Sequence, residues 1–342
     1  MRSALDAALA PGRSPEEALR LTAALWRYWL IRNNLQEGRA ALGAVLDRPA
    51  AAFPALRARN LIGLGSLHLQ LRDFEAAWTC AREACGLARE AGDERSLVHA
   101  LGVCLIAPSY YADPSDAERD SAELERRTSA MGDRWLAALP LFTNALRALR
   151  DADAQGANVF LERARAIVVT LGAPYDIAAV SCQLGFNRLE LSDAGGAAEA
   201  FFEYVRHGAA LNSRDLIGHC TDGLACVAVH TERMADAAEL FGAGRAIREL
   251  MGGELWSHWR PVHERLRAAA FEALGDERFD ERARVGYELA RRDPFLPMRR
   301  FESAYGMPGG TTCATMALRT PEDVLPEVVA PEVAPVFSKS PL

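Results

Sequence analysis

The sequence predicts an all-α chain built as a solenoid of helix pairs. Two observations carry that prediction: a strict forty-residue period, and small, turn-forming and acidic residues recurring where a helix pair needs them. Ala77, Ala117, Ala157, Ala197 and Ala237 form one column. Gly65, Leu105, Ala145, Gly185 and Ala225 form a second, small at four of five places. Gly92, Gly132, Gly172, Asn212 and Gly252 form a third, and Asp73, Asp113, Asp153 and Asp193 a fourth that lapses to Arg233. Self-similarity at one fixed period is the mark of a repeat array. A single helix pair cannot bury its own apolar face, whereas stacked pairs can.

Taken in order, residues 1–13 are expected to be loosely ordered. Ser14, Pro15 and Glu17 then read as a helix start, with Ser as N-cap, proline in the first turn and Glu reaching back. That helix runs through Trp26 and Trp29 to Ile31, Asn33 and Asn34 turn the chain, and a second helix runs to Leu46. Residues 14–53 thus form an N-terminal capping pair. Five repeats occupy residues 54–253. In the first, Leu61, Leu64, Leu67 and Leu71 give helical spacing. Asp73 starts the second helix by accepting from free backbone N–H groups, and Ala77, Ala81, Ala84 and Leu87 line one face. Gly92 ends it, and Asn212 stands at the same column as the other residue type that tolerates a left-handed cap. Small residues at the Gly65 and Ala77 columns let two antiparallel helices approach, where a bulkier side chain would be overpacked at about 1–3 kcal/mol. The second repeat turns at Pro108 to Pro114. Residues 254–305 are read as C-terminal capping helices: one from Glu254 to Leu274 ended by Gly275, another from Glu277 to Arg292 stopped by Asp293 and Pro294. Residues 306–342 are proline-rich, which disfavours helix and predicts an extended, solvated tail.

The spacing of Leu64 and Gly65, Ala77 and Ala84, repeated by Gly185, Ala197 and Phe201, resembles the tetratricopeptide repeat. The usual first-helix Trp and terminal Pro are missing, and the period exceeds the common one. The resemblance implies a right-handed superhelical solenoid of tetratricopeptide-like helix pairs. Two stretches look like the sensor region of bacterial LuxR-associated regulatory ATPases: Leu19 to Trp29 followed by Glu37, Gly38 and Arg39, and Ala237 to Gly252. That resemblance covers roughly residues 15–292 and implies regulation or signal transduction.

The chain has 342 residues and a formal net charge of −7. No basic block marks a nucleic-acid footprint. Lys339 is the sole lysine, so neither a phosphate-binding loop nor a Schiff-base lysine is available in the folded body. The ATPase module and a DNA-binding helix-turn-helix are likewise not recognisable. Seven cysteines, none in a C-x-x-C pair, read as reduced buried thiols of a cytoplasmic protein. Neither a secretory signal nor a membrane-spanning run is recognisable.

Trp256, His258, Trp259 and His263 cluster near Glu254, which shares a helix face with His258 by spacing. Amphipathic packing on the last repeat is the favoured reading over a ligand or metal site, because the His-Glu-x-x-His order is absent. The first helices are the better candidates, since the resemblance implies that they line the concave groove. By register this places Arg59, Ile62, Ser66 and Gln70 there from the first repeat, His99, Ile106 and Tyr110 from the second, and Phe142, Leu146 and Arg150 from the third. The fourth contributes Cys182, Phe186 and Glu190, and the fifth His219, Asp222, Cys226 and His230. An apolar centre with a polar edge suits an amphipathic peptide or an apolar small molecule, although inner helices packed on each other would show the same pattern. Phe142, Leu146 and Phe186 are the expected anchors. His219 with Asp222, and Cys226 with His230, assemble no nucleophile with its own base. The expectation is a non-enzymatic scaffold with a protein or peptide partner, a small-molecule effector being the second admissible ligand. Cofactor, metal, direct nucleic-acid contact and membrane contact are not expected. The alternative is an enzyme of small-molecule biosynthesis using the groove as its pocket.

Overall fold

The computed structural model describes residues 2–10, 13–48, 52–107, 113–210, 214–251, 255 and 258–305. Among them every regular element is an α-helix. The chain divides into two compact units, Met1–Leu171 and Gly172–Leu342. The first holds α1 (Arg2–Leu9), α2 (Pro15–Ile31), α3 (Leu35–Leu46), α4 (Pro54–Gln70), α5 (Phe74–Ala91), α6 (Glu94–Ile106), α7 (Pro114–Met131), α8 (Ala138–Arg150) and α9 (Ala154–Leu171). The second holds α10 (Pro174–Glu190), α11 (Ala194–Ala210), α12 (Arg214–His230), α13 (Met234–Met251), α14 (Arg260–Leu274), α15 (Asp276–Arg292) and α16 (Leu296–Tyr305). Within each unit, helices adjacent in sequence pack as pairs.

Each column of the sequence has a physical counterpart. Ala77, Ala157, Ala197 and Ala237 are completely buried. A side chain on Gly65 would begin 3.1 Å from the carbonyl oxygen of Ala77, so the two small columns meet face to face. The aspartates cap the second helix of each pair. Asp73 accepts from the Ala76 N–H at 3.2 Å, Asp113 from Ser115 at 2.8 Å, Asp153 from Gly156 at 2.8 Å and Asp193 from Gly196 at 2.9 Å. Gly92 and Gly132 end their helices at φ 63° and 62°, the left-handed conformation that glycine adopts without steric cost. Asn212 and Gly252 lie outside the described residues.

The lapse to Arg233 has a reason. Its guanidinium donates to Asp236 at 2.8 Å and to the Ala304 carbonyl at 2.8 Å, and stacks over Phe301 at 5.2 Å. The fifth repeat uses this position to hold α16, a helix that the stop expected at Pro294 did not anticipate. Arg2–Leu9, within the stretch expected to be loosely ordered, is helical and buries Leu5. The helix expected from Glu254 begins instead at Arg260, with Pro261 in its first turn. Proline lacks the N–H that an interior position needs and clashes with the carbonyl four residues back, so the helix must start beside it. Consequently His258 lies in a turn, and Glu254, with which it is expected to share a helical face, lies outside the described residues.

Polar ties cross the core both between neighbouring helix pairs and within one pair. Asn60 on α4 donates to the Leu19 carbonyl at 2.9 Å and accepts from Thr22 at 2.5 Å, both on α2. Ser181 on α10 donates to Glu203 on α11 at 2.7 Å. Both are buried and mutually satisfied, which keeps them from destabilising the core.

Candidate functional site

The expected groove residues fall into two separate sets, one per unit. In the first, Arg59 is exposed and pairs with Asp93 at 2.9 Å. Gln70 is the last residue of α4, eleven positions on, so the two are about 16 Å apart along the helix and cannot meet at one point. Phe142 is half-buried, Leu146 is buried and Arg150 is exposed at the end of α8. Tyr110 lies outside the described residues. His99 is half-buried, and its Nε2 is shut off from solvent with no hydrogen-bond partner. Burial first, then the charges of Arg95 and Arg27, push the imidazole down to about 3, against the opposing pull of Asp133 and Asp93. His99 is therefore neutral at physiological pH.

His99 sits in an aromatic and arginine cluster. Its ring meets the Trp135 indole edge-on at 5.2 Å. Arg27 on α2 stacks over Trp26 at 5.6 Å and over Trp135 at 5.2 Å, and Arg95 on α6 lies 6.0 Å from the Trp135 ring. Arg95 also pairs with Asp133 at 2.6 Å. Trp26 packs close against α4 because Gly63 has no side chain there; a Cβ on Gly63 would fall 2.6 Å from that of Trp26. Of this cluster the register reasoning found only His99. Arg95 and Trp135 share one column, a single helical turn before the column of Arg59 and His99, so extending the inner face by that turn would have found both.

In the second unit the expected groove face is filled by the chain itself. Phe186 is fully buried, stacked on Trp259 at 5.2 Å and 15°, and edge-on to Phe201 at 5.0 Å. The Trp259 indole N–H donates to Gln183 at 2.9 Å, and His258 contacts the same oxygen at 3.1 Å. Packing of Trp259 on the last repeats is thus what the cluster at residues 256–263 does, Trp256 itself lying outside the described residues. Phe186 is core, and the expectation that it anchors a partner is corrected. Cys182 and His219 are also buried. Glu190 is exposed and pairs with Arg265 at 3.2 Å.

Asp222 is completely buried, paired with Arg248 and 3.2 Å from His263 Nε2. A side chain on Gly244 would collide with this carboxylate. Burial alone would raise the Asp222 carboxyl, but hydrogen bonding to His263 and the charge of Arg248 hold it below its ordinary value. Burial, then the Asp222 charge, push the Cys226 thiol well up. A nucleophilic cysteine needs the opposite shift. His230 is half-buried with an unpartnered Nε2, and burial, then Arg265, lower it. Among the described residues no group of three or more His, Cys, Asp or Glu could hold a metal ion, and no helix is long and apolar enough to cross a membrane.

No family model matches the chain. It is similar to the predicted HTH-type transcriptional regulators Rv0890c of Mycobacterium tuberculosis and Mb0914c of Mycobacterium bovis, at 28% identity over 164 residues in each case. That match spans 46% of this chain and 18% of each regulator. A solved structure of a Rap protein complexed with competence and sporulation factor aligns with a TM-score of 0.49 at 13% identity, covering 84% of this chain and 76% of that one.

Proposed function

We propose that this chain is a non-enzymatic helical-repeat scaffold that binds a protein or peptide partner in bacterial transcriptional regulation. The observation that carries the reading is the repeat array itself. Helix pairs at a fixed period present a row of helices to a partner, and in the first unit half-buried Trp26 and Trp135 stand beside Arg27 and Arg95. Aromatic residues and arginine are the types that dominate interface energetics. The similarity to predicted transcriptional regulators supports a regulatory setting, as does the resemblance to the sensor region of LuxR-associated regulatory ATPases. The titratable groups of the second unit speak for structure over catalysis: Asp222 is held by Arg248 and His263, Glu190 by Arg265, and the Cys226 thiol is disfavoured as a thiolate.

Affinity capture with the immobilised full chain, followed by calorimetric titration of the identified partner, tests the reading. A stoichiometric partner whose binding weakens by about 2 kcal/mol or more on Trp135→Ala is expected. Failure to retain any stoichiometric partner, or partner binding indifferent to every inner-face variant of the first unit, would sink it.

A further inference from the structure

We propose that Trp26, Arg27, Arg95, His99 and Trp135 form a binding site for a carboxylate carried on a planar apolar group. This deepens the binding-module reading and rests on it. Three separate elements deliver these side chains to one place: α2, α6 and the turn before α8. Arg27 is held against two indoles and Arg95 against one. Stacking fixes the plane of a guanidinium, and a fixed guanidinium plane is the geometry that recognises a carboxylate through paired N–H donors.

The local charge balance favours an anion. The two acidic groups at the cluster are already engaged. Asp93 accepts from the Ser96 N–H at 3.1 Å and from Arg59 at 2.9 Å. Asp133 accepts from the Trp135 N–H at 2.9 Å and from Arg95 at 2.6 Å. At His99 the charges of Arg95 and Arg27 act more strongly than those of Asp133 and Asp93. The neutral imidazole carries one further polar atom, Nε2, which has no partner. That nitrogen is shut off from solvent, so His99 serves the site as the neutral ring packed edge-on against Trp135, and the carboxylate is met by the two arginines. Trp26 and Trp135 are half-buried, so their rings offer apolar surface to a flat group attached to that carboxylate. A free aromatic acid and the C-terminal aromatic residue of a partner peptide share this chemistry.

Tryptophan fluorescence and calorimetry on the full chain distinguish the two sources. The probes are phenylacetate, benzylamine, and an acetylated pentapeptide ending in phenylalanine with either a free or an amidated C-terminus. Saturable binding of phenylacetate or of the free-acid peptide is expected, with benzylamine and the amide failing to saturate. The arm that saturates identifies the source. Arg95→Gln, at a half-exposed surface position, should weaken that binding about tenfold or more, and Arg27→Gln should do the same with the helical circular-dichroism signal intact. Absence of saturation by either acid, equal binding of acid and amide, or an unchanged affinity in Arg95→Gln would overturn the site. A captured partner with no acid binding would sink this site alone; acid binding without any macromolecular partner would sink the partner reading instead.

Discussion

Phe186 shows how a residue's surroundings decide its role. By register its column is expected on the inner face of a first helix, where an aromatic reads as a binding anchor. Trp259 covers it, so its ring contributes to folding. Phe186→Ala should therefore cost about 3–5 kcal/mol of stability, the range for a buried aromatic truncation, and thermal unfolding would show it; a loss below 1 kcal/mol would contradict the packing. His99 predicts a pH dependence. Its folded value of about 3 lies below the ordinary 6.5, so the folded chain resists protonation that the unfolded chain accepts. The contribution of His99 is fully present above about pH 6.5 and is lost progressively as pH falls towards 3. Melting temperature should drop across that acid range, and His99→Gln should flatten the drop. An identical pH profile in that variant would show that His99 is not held neutral by the fold.

At the scale of elements, two helix contacts separate positions where glycine is required from one where it is incidental. Gly242 on α13 and Gly286 on α15 pack against the facing backbone, where a Cβ would collide with the carbonyls of Ala283 and Glu239. Gly242→Ala should cost about 3 kcal/mol, the upper end for overpacking, because backbone cannot rotate aside as a side chain can. Gly86 on α5 has open space around its missing Cβ, so Gly86→Ala should stabilise by about 0.5–1 kcal/mol. Denaturant melts of the two variants must move in opposite directions. Most of this level was legible in the sequence, because small residues, capping aspartates and terminal glycines act locally and repeat. What was not legible has local and long-range causes. The column Arg72, Ala152, Ser192 and Glu232 turns between helices at φ between 58° and 62° with no glycine to announce it. The start of α14 is marked in the sequence by Pro261 in its first turn. The filling of the inner face by Trp259 needs a partner seventy-three positions away, and no local pattern encodes it.

At the scale of the whole molecule, a forty-residue period read from sequence says nothing about where the array divides. The register runs unbroken through residue 171, yet the chain forms two compact units there. Solenoid stability is approximately a sum of terms within repeats and between neighbours, so a unit that carries its own helix pairs and its own core can stand alone. The first unit has such a core around Leu97, Leu101, Cys104 and Leu124 on α6 and α7. The second has the buried set of Phe186, Phe201, Tyr204 and Trp259, together with the α13–α15 contact. Each unit is 171 residues long, within the usual size of a domain. Expressed separately, residues 1–171 and 172–342 should each give a helical circular-dichroism spectrum and a cooperative thermal transition. The first fragment should retain the Trp26 and Trp135 cluster, and with it the carboxylate binding proposed for that cluster. Fragments that are unfolded apart but helical when mixed would show instead that the array is one cooperative body, and that the period seen in the sequence is also the unit of folding.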